Sequence, residues 1–427
     1  MTSLLALRRE DKHHERRSPI CPVHLPALGR EGVELWVQPA AQRVFTEAEY
    51  AAAGAVVRED LSEAQVIVGL KEIDLPHLQP NATYAFFSHT IKGQAQNLPM
   101  LRRLLELGCT LVDYEKITDE HGRRTVFFGR YAGLAGMIDT LWAFGQRLLA
   151  EGIPTPLAEL RCAFDYAGLD EASAALRRVG AEMAELRLPP PHSPVLIGIT
   201  GDGNVSRGAQ AILELCGAKA VEPDELDGLR PGTPGLFSTV FRRAETVEPV
   251  TGVTGLESYY EKPEWYRPIF ERQLPRLSVL VNCIYWDERF PRLVTLPALR
   301  RLYAEPAPRL KVIGDLSCDL NGAIEATVRT TSPDAPAYVY DVATGETHDG
   351  VAGHGPVILA VYNLPAELPR EASEAFGLAL LPYLPALAAA RYDATFEQSG
   401  LSPALRRATI AYRGELTPNF SYLRRHL

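Results

Sequence analysis

Two short apolar runs, Val66-Ile67-Val68 and Tyr84-Ala85-Phe86-Phe87, stop abruptly at ionisable groups: Lys71-Glu72 follows the first and His89 the second. This pattern constrains the fold more than any other feature of the chain. In an open α/β sheet, groups at the carboxyl ends of the strands line the crevice where ligands bind. Lys71 and His89 are therefore expected to meet in one such crevice. A Lys beside a His suits proton transfer near neutral pH, because partial burial and a neighbouring cation both lower a lysine pKa. The residue types alone leave a second reading open, in which His89 is a hydrogen-bonded structural histidine.

The first third of the chain repeats the motif. Residues 33–37, 65–70, 84–87 and 110–113 read as strands, 46–54 as a capped helix and 101–107 as a helix between the last two strands. Strand and helix alternating in this way predict a parallel sheet with helical crossovers. A long helix is expected over 131–151, where Ala132-Gly133-Leu134-Ala135-Gly136 allows backbones to pack closely and the chain to pass from one domain to the next. Two more helical segments are expected up to Leu186, then a stiff break at Pro189-Pro190-Pro191.

Beyond the break a second αβ unit begins. Residues 195–199 read as a buried strand, and Gly201 and Gly203 follow it ahead of a helix running through Leu215. A dinucleotide-binding turn has this arrangement, with one Gly for the tight turn and one for the approach of a pyrophosphate to the helix N-terminus. An ordinary glycine turn has it too. The third fingerprint position is Ser206 rather than Gly, with Gly208 two residues on. Glu222 ends the strand-like 218–221 at about the 20-residue distance where an acidic group accepts the ribose hydroxyls of NAD. Taken alone this leans to NAD, with Lys219 and Arg230 able to offset the charge. Later strands are expected at 279–281, 311–313 and 357–361, and a helical stretch over 363–427. The expected fold class is α/β: two Rossmann-like domains with mostly parallel sheets flanking a central cleft. Residues 1–140 form the first domain, 356–427 return to brace it, and 141–355 form the second.

Composition sets the outer limits. A chain of 427 residues, 46% hydrophobic and 23% charged, is an ordinary globular protein of two or three domains. A formal net charge of −9, with no long basic run, argues against a nucleic-acid partner. The apolar start, 1–7, is too short for a signal peptide, and Pro382 and Pro385 interrupt the most apolar late stretch, so no membrane partner is expected. Six scattered cysteines point to a reducing cytoplasm. Cys21 and His24, with His13 and His14 nearby, have ligand-like spacing but no convincing second pair, and no metal is expected.

These residues, with others in order along the chain, carry a resemblance. Leu7-Arg8-Arg9-Glu10 with Glu15-Arg16-Arg17, Tyr84 through Asn97, Asp113-Tyr114-Glu115-Lys116 and Phe128-Gly129 are among them. So are Gly203-Asn204-Val205-Ser206-Arg207-Gly208-Ala209, Val221-Glu222-Pro223, Asn282-Cys283-Ile284-Tyr285-Trp286, Asp315-Leu316-Ser317 and Asn363-Leu364-Pro365-Ala366-Glu367-Leu368-Pro369. The chain resembles the lysine–2-oxoglutarate reductase (saccharopine dehydrogenase, L-lysine-forming) family of the alanine dehydrogenase and transhydrogenase superfamily. The likeness extends to the reductase half of the bifunctional aminoadipic semialdehyde synthases.

The resemblance implies that the ε-amine of L-lysine condenses with 2-oxoglutarate, water leaves, and a hydride from NAD(P)H reduces the imine to saccharopine. It implies that the first domain is the substrate and catalytic one and the second binds the dinucleotide. Lys71 and His89 would carry the proton transfers, Glu72 and Glu115 would tune them, and Arg17 and Arg124 would grip carboxylates. Position alone would equally allow Arg17 to be a surface arginine. Lys92 and Asp315 match a pair of opposite charges near the site, Asp315 facing the first domain across the cleft. The cofactor residues would be Gly201, Gly203, Asn204, Val205, Ser206, Glu222, Asn282 and Tyr285, although Asn282 and Tyr285 would also serve simple turn formation. The resemblance favours NADP(H), with NAD(H) possible, and implies a separate saccharopine-oxidising enzyme. Tyr362 and Cys318 depart from the family pattern, at an Asp and a smaller residue respectively. Two other activities fit the same plan: alanine dehydrogenase, disfavoured by Thr90-Ile91-Lys92-Gly93-Gln94, and a catalytically silent nucleotide-binding regulator, disfavoured by the intact set Lys71, His89, Glu115 and Asp315.

Overall fold

Short apolar runs build the first sheet. Its leading strands are β1 (Ser3–Leu7), β2 (Val33–Val37), β3 (Val56–Val57), β4 (Val66–Val68), β5 (Thr83–Phe86) and β6 (Thr110–Asp113). All pair in parallel. Every residue of β4, β5 and β6 is buried, as expected of strands covered on both faces. The structure is a computed structural model that describes residues 3–250 and 252–427. The crossover helix Glu47–Ala52 starts where the sequence indicates, because Thr46 and Glu49 form a reciprocal capping box.

The second sheet begins with β7 (Val195–Thr200), β8 (Lys219–Ala220) and β9 (Leu236–Phe241). A small antiparallel pair, β10 (Val247–Pro249) and β11 (Tyr266–Pro268), follows. β12 (Val279–Asn282), β13 (Val312–Asp315), β14 (Ala337–Tyr340), β15 (Thr347–Asp349) and β16 (Val357–Leu359) complete it. The chain then returns to the first sheet with β17 (Thr409–Tyr412) and β18 (Glu415–Leu416). Each main sheet has eight strands: β18-β17-β6-β5-β4-β1-β2-β3 and β15-β14-β16-β13-β12-β7-β9-β8. Both are mostly parallel, with antiparallel pairing only through β17 and β18 in one and β14 and β15 in the other. The α/β class with two mostly parallel sheets is as the sequence indicates.

The chain divides into two compact units, one of residues up to Phe128 plus Pro369–Leu427, the other Gly129–Leu368. These limits differ from 140/141 and 355/356 for physical reasons. The helix Gly129–Ala150, expected to run between domains, is locked to the helix Asn204–Leu215. A Cβ on Gly133 would lie 1.9 Å from the Val205 carbonyl oxygen, and one on Gly208 would lie 2.1 Å from that of Arg130. Residues 357–359 belong to the second sheet because β16 sits between β13 and β14. The segment 363–427, expected to be helical, holds the helix Pro369–Leu380 but also β17 and β18. Of the segments expected up to Leu186, only Leu169–Met183 is an α-helix; Pro156–Glu159 and Ala163–Asp165 are single 3₁₀ turns. No helix among the described residues is long and apolar enough to cross a membrane.

Candidate active site

In the first unit most of the side chains expected to act gather at the carboxyl ends of β1, β4, β5 and β6. β1 ends at Leu7, and Glu10 just beyond it holds the turn after β4. Its carboxylate accepts the backbone N–H groups of Leu70 (2.7 Å) and Lys71 (2.9 Å). Burial pushes the Glu10 carboxyl up to about 7. Lys71 is thereby fixed in place, and its pKa is lowered, first by burial and then by the charge of Arg17.

The turn after β5 is held from two sides. Asp113, buried at the end of β6, accepts the Ser88 N–H at 3.0 Å and the Ser88 hydroxyl. Asn97 donates its amide to the His89 carbonyl at 3.1 Å. Between these anchors His89 adopts φ +47°, a left-handed conformation uncommon outside glycine. Its Nδ1 lies 2.6 Å from Glu72 Oε1. Burial works to raise the Glu72 carboxyl, but the hydrogen bond and charge of His89 prevail and bring it down to about 2. Lys12 Nζ stands 3.8 Å from the other Glu72 oxygen.

An aromatic floor carries the cations. The His89 ring stacks on Phe87, with centroids 6.2 Å apart. The Arg124 guanidinium lies 5.9 Å from the same ring and 3.8 Å from Glu115 Oε1. Arg17 lies 4.2 Å over Phe128, which stacks on Phe376 at 4.4 Å. Arg17 is no surface residue. It is 2% exposed, and Glu15 grips it through Nε (2.8 Å) and Nη2 (2.6 Å). Lys71, Glu72, His89, Arg17, Glu115 and Arg124 thus share one rim. Lys92 is exposed, with its backbone N–H on the Gln94 side chain. Glu10, Glu15 and Asp113 were not singled out as site groups, although Glu10 and Glu15 stand in the motifs and Asp113 marks a strand end.

The second unit places its turn at the carboxyl end of β7. Gly201 has φ +86°, and a Cβ there would stand 2.9 Å from the Ile284 side chain. A Cβ on Gly203 would meet nothing within 4 Å, so the open space lies over the glycine that caps the helix Asn204–Leu215. A cavity of about 200 Å³ opens there, walled by Gly201, Gly203, Arg242, Arg243, Tyr260 and Tyr285 among others. Backbone space beside a helix N-terminus fits a pyrophosphate. Asn204, Val205 and Ser206 form the first helical turn, with the Ser206 hydroxyl accepting from Gln210 at 2.9 Å. Gly208 takes the close-packing role that the fingerprint assigns to its third glycine, against the helix Gly129–Ala150.

Three expected residues stand elsewhere. Asn282 is fully buried, its amide donating to Asp315 (2.9 Å) and its oxygen accepting from Thr200 (3.0 Å), so it joins strand ends. Asp315 is 1% exposed, also accepts from Thr327 at 2.7 Å, and is pushed up to about 6 by burial. Glu222 is exposed at the end of edge strand β8 and pairs with Arg242 at 3.3 Å. Of the two departures from the family pattern, Tyr362 is exposed, and Cys318 donates its thiol to the Ala360 carbonyl at 2.8 Å. The Cys21–His24 spacing forms a turn contact, Cys21 N–H to His24 Nδ1 at 3.1 Å.

Comparisons with known proteins show the family and the fold. The alanine dehydrogenase/PNT N-terminal domain model matches residues 6–135, and the C-terminal domain model of the same family matches 269–419. The chain is 37% identical to alpha-aminoadipic semialdehyde synthase of Arabidopsis thaliana, over 96% of this chain and 40% of that one. It is 36% identical to the mitochondrial enzyme of that name from Bos taurus, over 99% and 48%. The chain therefore spans about half the length, or less, of these relatives. Saccharopine dehydrogenase (NAD(+), L-lysine-forming) of Neurospora crassa is 31% identical over 90% of both chains. Among solved structures, an L-alanine dehydrogenase superposes with TM-score 0.64 at 17% identity, covering 99% of each chain, which shows the shared fold. Strand-end chemistry, fold and sequence identity converge: the chain belongs to the L-lysine-forming saccharopine dehydrogenase family of amino-acid dehydrogenases.

Proposed function

We propose that the protein condenses L-lysine with 2-oxoglutarate and reduces the product to saccharopine, reversibly, with NADPH preferred over NADH. The observation that carries this reading is Lys71, partly buried and lowered in pKa beside Arg17, on the same rim as the Glu72–His89 pair. The substrate ε-ammonium must lose a proton before it attacks the keto carbon, and Lys71, its pKa lowered by burial and by Arg17, is the group that accepts it. With Nδ1 turned to Glu72, His89 has Nε2 left to exchange protons with the reacting atoms. Attack gives a carbinolamine, and protonation of its hydroxyl by one of these groups lets water leave as the imine forms.

The carboxylates need guanidinium partners. Arg17 already holds Glu15 in two hydrogen bonds, so Arg124, with a looser 3.8 Å contact to Glu115, is the better substrate clamp. Arg17 then acts chiefly by its charge on Lys71. In the second unit Gly201, Gly203 and the turn Asn204-Val205-Ser206 would hold the pyrophosphate, and Tyr285 would lie toward the nicotinamide. When bound, the reduced dinucleotide supplies the hydride that reduces the imine. The first unit is accordingly the substrate domain and the second the dinucleotide domain. All six cysteines are free, which fits the cytoplasm.

The test is loss of nicotinamide absorbance with L-lysine and 2-oxoglutarate, run with NADPH and NADH. Lysine-dependent oxidation that falls by about 10²–10⁴ in His89→Ala is the expected result. Formation of alanine from ammonia and pyruvate, with no response to lysine, would instead establish the alanine dehydrogenase reading.

A further inference from the structure

The rule that places an acidic residue on the adenosine ribose assumes that the strand after the glycine turn lies beside the first one. Here it does not. β9 is inserted between β7 and β8, so Glu222 ends an edge strand one place removed from the glycine turn. The neighbour of β7 is β9, paired in register from Val195↔Leu236 to Thr200↔Phe241. The Gly201 N–H donates to the Phe241 carbonyl at 2.9 Å, so the residues directly beside the turn are Arg242 and Arg243. Both arginines line the cavity over Gly201 and Gly203, and Glu222 is not part of its wall. The Arg243 guanidinium lies over the Tyr260 ring at 4.1 Å, a planar surface on which an adenine or a phosphate-bearing ribose can rest. Arg242 is about half exposed and pairs with the carboxylate of Glu222 at 3.3 Å.

We infer that Arg242 and Arg243, at the carboxyl end of β9, bind the 2′-phosphate of the adenosine ribose and make the site selective for the phosphorylated dinucleotide. Glu222 is then a positioning residue that holds Arg242 toward the cavity mouth when the site is empty and yields it to the phosphate. This rests on the dinucleotide reading of the second unit but not on the reaction proposed for the first. Guanidinium groups suit the task, because they match phosphate oxygens with paired donors.

The experiment is calorimetric titration of the full chain with adenosine 2′,5′-bisphosphate and with 5′-AMP, without lysine or oxo acid. The bisphosphate should bind about a hundredfold more tightly, about tenfold for each of two charge-assisted contacts. Arg242→Ala and Arg243→Ala should each narrow that ratio by about tenfold, with 5′-AMP affinity reporting that the site remains folded. Glu222→Gln should widen it. Equal affinities in the wild type, no binding of either nucleotide, or a ratio that survives the double substitution would each overturn the inference. Arginine-dependent selectivity in a protein with no lysine-dependent turnover would uphold it and reject the proposed reaction. Turnover with a ratio indifferent to both arginines would do the reverse.

Discussion

The carboxyl edges of the two sheets are built on one plan and work by different means. At the edge of the first sheet the groups that matter are side chains: Lys71, Glu72, His89 and Arg124, carried on aromatic rings and anchored by buried carboxylates. At the edge of the second they are backbone and space: Gly201 in a left-handed turn, Gly203 under an open cavity, and Gly208 pressed against a helix. On the proposed reading the first edge moves protons and so needs ionisable groups of shifted pKa. On the same reading the second receives a large anion and so needs N–H groups and room. Removing side chains should therefore damage the first edge, and adding them should damage the second.

The largest effect expected is at Lys71. Lys71→Ala should lower turnover by about 10³, within the range of general acid–base contributions, while nucleotide affinity holds. Steady-state rates and calorimetry on one preparation decide this. A loss confined to nucleotide binding would break the contrast between the two edges. Next comes Arg17→Met, which leaves the buried Glu15 carboxylate without its bidentate partner. A stability loss of about 3 kcal/mol is expected from denaturant unfolding, with partial recovery in Glu15→Gln/Arg17→Met. In the single Arg17→Met variant the Lys71 pKa should rise toward its ordinary value, because the charge of Arg17 that lowers it is gone while that of Glu15, which raises it, remains. The pH–rate limb that requires neutral Lys71 should move to higher pH.

Glycine substitutions probe the other edge. Gly208→Ala drives a methyl group into the Arg130 carbonyl and should cost about 2 kcal/mol or more in stability. Gly203→Ala meets no atom within 4 Å, so thermal stability should change little while affinity for 5′-AMP falls. If Gly203→Ala binds nucleotide as well as the parent, the cavity does not hold the pyrophosphate.

How much of this was legible depended on how local the information is. The fully buried parallel strands β4, β5, β6 and β7 announce themselves as unbroken apolar runs, and their abrupt ends expose Lys71, His89 and Gly201. β17 and β18 do not, because β17 is placed by pairing with β6, roughly 300 residues earlier in the chain (Thr409↔Val112), and the partly exposed β18 only by antiparallel return onto β17. The floor of Phe87, Phe128 and Phe376 is equally non-local. Glu222 stands apart from the glycine turn for a topological reason. The spacing rule counts residues and cannot see that β9 takes the position beside β7. Asn282 ends its strand where a cofactor ligand belongs, but only the folded structure shows its amide committed to Thr200 and Asp315.

The smallest effect is a pH dependence of stability that the two edges split differently. Asp315 lies in the second sheet, with hydrogen-bond donors around it and its carboxyl raised from 3.8 to about 6, chiefly by burial. Its native form holds a proton that the unfolded chain has released, so stability falls as pH rises from the unfolded value through the folded one. Between pH 5 and 7 this group should remove about 1 kcal/mol, and Asp315→Asn should flatten the profile by that amount. In the first sheet Glu10 acts with the same sign, between 4.5 and about 7. Glu72 acts with the opposite sign: lowered to about 2 by His89, it adds stability that is complete above 4.5 and lost as pH falls toward 2. Denaturant midpoints across pH 2–8 for the parent, Asp315→Asn and Glu72→Gln separate the three contributions. Removing Glu72 should flatten only the acid side. A Glu72→Gln variant that flattens the neutral side instead would show that the His89 pair is not what holds Glu72 ionised, and the proton-transfer role of that pair would fall with it.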